Sequence, residues 1–97
     1  MQLDFLGELF FWRGPSPYHF VAVPESDGAE IHAVSSLVTY GWGVIPVLAA
    51  IGDTSWTTSL FPKDGGYVVP VRASVRKSEV LELGDTVRVS LSIEVKY

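Results

Sequence analysis

No cysteine occurs anywhere in the chain. Its absence excludes disulfides, thiolate metal sites and thiol nucleophiles together. Positive charge is also scarce: seven basic residues stand against eleven acidic ones, a net charge of −4. That balance argues against general nucleic-acid binding. Long apolar runs are missing too. The longest, residues 44–51, falls far short of the roughly 20 residues that a membrane helix needs. The opening stretch MQLDFLGELFFWRG carries acids inside its apolar pattern, unlike a secretory leader. These absences lead us to expect a soluble, cytoplasmic protein. At 97 residues it should form one domain over 1–97.

What the chain does contain is apolar surface and regular patterning. Hydrophobic residues make up 47% of it, with three Trp, four Tyr and five Phe, enough for a packed core without staples. The stretch 67–93, YVVPVRASVRKSEVLELGDTVRVSLSI, organises the rest. It reads as a strand (67–71), a short helix after Pro70, a Gly84-Asp85 turn with Gly84 at positive φ, and an alternating strand. In that strand Val87, Val89, Leu91, Ile93, Val95 and Tyr97 alternate with polar residues, so one face is core and the other is wet.

Upstream, residues 2–13 alternate as a strand. Leu3, Phe5, Gly7, Leu9 and Phe11 share one face; the other turns aromatic at Phe10 and Trp12, which implies that something covers it. Residues 14–17, Gly-Pro-Ser-Pro, form a turn, and 18–23 make an antiparallel second strand. Asp27 and Glu30 have capping-box spacing. Ile31, Val34, Leu37 and Val38 then recur at helical intervals, predicting a helix over 27–38 closed by Gly41 and Gly43. His32 lies off that stripe. A hairpin over 43–61 follows, turning at Gly52-Asp53, with Pro46 at a strand start, edge or bulge. Residues 62–66, Pro-Lys-Asp-Gly-Gly, read as a loop, most simply a glycine hairpin turn rather than a phosphate cradle.

The chemistry-bearing residues form no recognised constellation. No Gly-x-Ser-x-Gly elbow and no nucleotide-binding glycine pattern is present. Two histidines a whole helix apart, without cysteine, do not suggest a zinc site. His19 falls on the face shared with Val21 and Val23, as a core or barrel-mouth residue. Glu79 and Glu82 read as surface charge at a helix end. The aromatics Trp12, Tyr18, Tyr40, Trp42, Trp56 and Tyr67 are expected to fill the interior, since a small barrel needs large side chains. No catalytic residue, metal ligand or cofactor is assigned. Charge is unevenly spread: residues 1–62 contain one basic residue, whereas Arg72, Arg76 and Lys77 lie close together. These three are the candidate anion- or partner-binding residues, with a solvated helix face as the plain alternative.

Two resemblances emerge. YHFVAVPES and the run from Gly41 through Leu91, including GVIPV, WTTSLFP, VPV, VRK and GD, resemble the small bacterial β-barrel proteins of the domain of unknown function 1905 family. The resemblance implies one barrel of six or seven strands with short helices, and no catalytic residue. Locally, Val69-Pro70 followed by Arg76, Leu83, Gly84-Asp85 and Val87 is similar to the half-unit of AbrB and MazE type regulators. There, two units from two chains interlock into a double-split barrel that binds DNA. Here Val23-Pro24, the first helix and Gly43-Val44-Ile45-Pro46-Val47 supply a second unit that lacks the Gly-Asp turn.

The expected fold is therefore all-β with two short helices: a small closed or double-split barrel, pseudo-dimeric within one chain. The expected function is a non-enzymatic binding or interaction module, taking an unknown small ligand or protein partner, monomeric and without specific DNA binding. The alternatives are a DNA-binding regulator of the swapped-hairpin type and a small enzyme whose site is not legible in sequence.

Overall fold

A computed structural model describes residues 1–15, 17–35 and 43–95 of the chain. The elements are β1 (Gln2–Trp12), β2 (Tyr18–Ala22), α1 (Glu25–Ala33), β3 (Ile45–Ile51), β4 (Thr54–Lys63), β5 (Gly66–Pro70), α2 (Ala73–Ser78) and β6 (Thr86–Ser92). Six strands close into an antiparallel barrel in the order β1-β2-β5-β4-β3-β6. No helix among the described residues is long and apolar enough to cross a membrane.

The barrel closes because two strands change partners along their length. Gln2 to Glu8 of β1 pair with β6, and Leu9 to Trp12 pair with β2. Likewise, Thr54 to Leu60 of β4 pair with β3, and Phe61 to Lys63 pair with β5. Exchanging β1 with β4, β2 with β5 and β3 with β6 returns the same strand order. The two strand–proline–helix–strand passages, β2-α1-β3 and β5-α2-β6, are thus topological copies related by a two-fold exchange.

Period-two alternation supplies the core. Leu3, Phe5 and Leu9 of β1, Val47 and Ala49 of β3, Trp56 and Leu60 of β4, and Val87, Val89 and Leu91 of β6 all point inward and are buried. Ile93, just past β6, is also buried, while Val95 packs half-buried against the cluster. Each helix contributes one residue to this core, Ile31 from α1 and Val75 from α2.

The turns follow the chemistry of their residues. Gly52-Asp53 joins β3 to β4 as a two-residue loop with Gly52 at φ 57°. Residues 62–66 are less of a loop than expected: β4 continues through Pro62 and Lys63, and Asp64-Gly65 alone makes the turn. Both turn residues have positive φ, as a type I′ hairpin requires. Gly84 takes φ 89° between α2 and β6, and its amide donates to the Leu9 carbonyl at 2.9 Å. Pro46 sits where β3 has β4 as its paired neighbour, before the β6 pairing begins at Leu48. Its missing N–H therefore removes no second ladder bond.

Three expectations need correction. The helix predicted over 27–38 starts earlier, at Glu25, with Pro24 as its N-cap and no side-chain cap. Asp27 therefore lies inside the first turn, and the Asp27/Glu30 capping box does not form. Proline there presets φ at −58°, so the helix starts without a polar cap. It also ends at Ala33 with Val34 as its C-cap, so Val34 is not one of its helical positions; Leu37, Val38 and Gly41 lie outside the described residues. Secondly, the last strand ends at Ser92 rather than running to Tyr97; Lys96 and Tyr97 are outside the described residues. Thirdly, Glu79 is more than surface charge. Thr54 Oγ1 donates to its carboxylate at 2.6 Å, tying the end of α2 to the β3–β4 hairpin.

Candidate ligand-binding groove

Outward-facing side chains of β2, β5 and the second halves of β1 and β4 create a second apolar cluster. Register sets Phe10 opposite Phe20, Trp12 opposite Tyr18, Phe20 opposite Pro70, and Phe61 opposite Val68. Phe20 and Val68 are buried, yet neither belongs to the barrel core. Around Phe20 the rings of Phe10, Trp12 and Tyr18 stand at centroid distances of 6.1, 6.5 and 5.7 Å, spacings at which aromatic pairs attract. Tyr18 and Phe61 remain exposed, at 40% and 43%.

Phe10 apart, this cluster lines an open groove of about 940 Å³, which also includes Thr57, Ser59, Lys63 and Arg72. Its volume falls in the range usual for small-molecule sites, as does its mixture of apolar walls with a few polar groups. Both cations are held in place. Arg72 sits at the N-cap position of α2, two residues past the end of β5, and its guanidinium donates to the Thr57 carbonyl at 2.7 Å. The Lys63 ammonium lies 5.5 Å from the Trp12 ring centre and 3.1 Å from the Asp64 carboxylate. The ring's negative face and the carboxylate both hold the ammonium close to Trp12.

Only one of the three candidate cations reaches this groove. Arg72 lines it, whereas Arg76 and Lys77 do not. Arg76 Nε donates a long 3.4 Å bond to the Val71 carbonyl, and Lys77 is exposed on the last turn of α2. Arg76 is half-buried beside Val71 and His19 instead, while α2 buries Val75 in the core. His19 is half-buried with its ring edge-on to Phe11, 4.9 Å between centroids. Burial lowers its pKa below the usual histidine value, and the charge of Arg76 adds to the effect.

The expectation for the aromatics holds in part. Trp56 and Tyr67 fill the interior, but Trp12 and Tyr18 line the outer groove, and Tyr40 and Trp42 lie outside the described residues. Lys63, Phe20 and Phe61 are functional candidates that sequence reasoning did not single out. One signal pointed to them: the aromatic turn in the polar face of β1 at Phe10 and Trp12. Its covering partners come from β2, β4 and β5, and only strand order brings them together.

A metal centre finds no donor set here, since the described residues contain no group of three or more His, Asp or Glu positioned for one. A family model described as Domain of unknown function (DUF1905) matches residues 5–91. No curated protein matches the chain.

Proposed function

This chain belongs to the Domain of unknown function (DUF1905) family, and from that premise we propose that it is a non-enzymatic binding module whose ligand occupies the aromatic groove outside the barrel. The observation that carries this reading is the groove itself. Exposed Tyr18 and Phe61 and a held Arg72 converge on one volume of about 940 Å³. Apolar surface with a few fixed polar groups is the usual composition of a recognition site. The whole chain, 1–97, acts as one unit and as a monomer, because both halves of the closed barrel come from the same polypeptide.

The regulator reading draws less support. Arg72 is engaged with Thr57 and Arg76 with Val71, so α2 does not present its cations as one face. Nor are the two related helices alike in charge: α2 ends on Arg76 and Lys77 whereas α1 has only His32 there, so the pair is not matched to read paired half-sites. Fragment screening by amide-resolved NMR tests the proposal. Binders should shift the signals of Tyr18, Phe20, Phe61 and Val68 and lose affinity on Phe61→Ala. Hits that map elsewhere and ignore that substitution overturn it.

A further inference from the structure

The two charged side chains lining the groove, Lys63 and Arg72, are both positive, and no acidic side chain lines it among the described residues. This occurs on a chain whose net charge is −4. Asp64 pairs with Lys63 but lies on the hairpin turn, 86% exposed, outside the groove lining. Positive charge has thus been concentrated where the aromatic surface is. Among the described residues, the Arg72 guanidinium makes one bond within the groove wall, to the Thr57 carbonyl, although the group has five N–H donors in a planar fork suited to a carboxylate or phosphate.

Resting on the groove reading above, we infer that the ligand is a small anion with a planar aromatic body. Its rings lie against Trp12, Tyr18 and Phe61, and its acidic group is held by Arg72 and Lys63. Each part of the groove selects one part of such a molecule. Ring faces and edges favour another ring in offset or edge-on contact. A fixed guanidinium favours an oxyanion, because charge-assisted hydrogen bonds are about twice as strong as neutral ones. A long polyanion is disfavoured, since two cations neutralise few phosphates and the net negative charge of the chain repels the rest. Carboxylate and phosphate head groups share this chemistry, and competition by benzoate or phenyl phosphate separates them.

The probe is 1-anilinonaphthalene-8-sulfonate, whose fluorescence reports on an apolar site, paired with N-phenyl-1-naphthylamine, the same ring system without the charge. At low ionic strength the sulfonate should bind the folded protein at one site, about tenfold more tightly than the neutral amine. Arg72→Gln should remove about that tenfold and leave the neutral probe unchanged. Lys63→Gln should act in the same direction, giving a second variant should Arg72→Gln disturb α2. Phe61→Ala should weaken both probes. Equal affinity for the two probes, with neither charge substitution mattering, refutes the anion while leaving the groove intact. If Phe61→Ala and Tyr18→Ala leave both probes unaffected, the groove reading fails as well. A thymidine hexamer that displaces the sulfonate with a steep salt dependence also overturns the inference, replacing the small anion with a single strand.

Discussion

Replacing Gly52 with alanine tests how the β3–β4 hairpin is locked to α2. Gly52 has φ 57° in the two-residue turn, and a Cβ added there would overlap the Glu79 carboxylate. That carboxylate accepts the 2.6 Å bond from Thr54 Oγ1. Gly52→Ala should therefore carry two separable costs. A left-handed backbone at a non-glycine residue costs about 1–2 kcal/mol. The Glu79 side chain is flexible and can swing aside, but doing so gives up its hydrogen bond to Thr54, a loss of about 1 kcal/mol for a half-buried pair. The single variant should thus lose about 2–3 kcal/mol. In a Glu79→Ala background the second cost has already been incurred, so adding Gly52→Ala should cost only about 1–2 kcal/mol. Urea unfolding of the four proteins closes the cycle, with midpoints moving and slopes constant. A coupling energy indistinguishable from zero would mean that Glu79 gives way freely and does not fasten the hairpin. Stability unchanged by Gly52→Ala alone would refute the left-handed turn itself.

Leu91, fully buried on β6, should lose about 2–5 kcal/mol on replacement by alanine; an unchanged melting temperature would mean that the facing of β6 is wrong. Val80 is 80% exposed and holds φ 53°, so Val80→Gly should relieve about 1 kcal/mol of backbone strain, and a loss of stability in urea would contradict that. The lowered pKa of His19 means that the unfolded chain takes up this proton first on acidification. His19 therefore contributes full stability above its unfolded value of about 6.5 and loses it as pH falls through the lower folded value. His19→Gln should flatten the decline in melting temperature between neutral pH and pH 5, and an unaltered decline would locate the acid sensitivity elsewhere.

The barrel strands were legible because strand alternation is a local property. A side chain on a half-buried strand must alternate between core and water whatever its neighbours are, so Leu3, Phe5, Val87, Val89 and Leu91 declare their facing in the chain itself. The turns at Gly52-Asp53 and Gly84-Asp85 are local in the same way, since their backbone angles depend on the residues that adopt them. So was the repeated strand–proline–helix passage, which implied a barrel built from two halves of one chain. Helix boundaries were less legible: Asp27 and Glu30 had the spacing of a cap, but Pro24 starts α1 three residues earlier.

The groove lay beyond sequence reasoning for a different reason. Trp12 and Lys63 are fifty-one positions apart, and their meeting depends on β1 leaving β6 for β2 and on β4 leaving β3 for β5. Aromatic content alone suggested a filled interior, and for Trp56 and Tyr67 that was correct. Whether an aromatic faces the core or the outer wall depends on the register of its own strand. Whether outer-wall aromatics form a site depends on which strands lie beside them. Arg72, Arg76 and Lys77 are neighbours in the chain, yet Arg72 binds the Thr57 carbonyl in the groove, Arg76 binds the Val71 carbonyl, and Lys77 is exposed. The sequence by itself determined the strands, most of their facings and the two-fold plan; tertiary structure decided which outward side chains meet, because that follows from strand order and partner exchange, which are non-local.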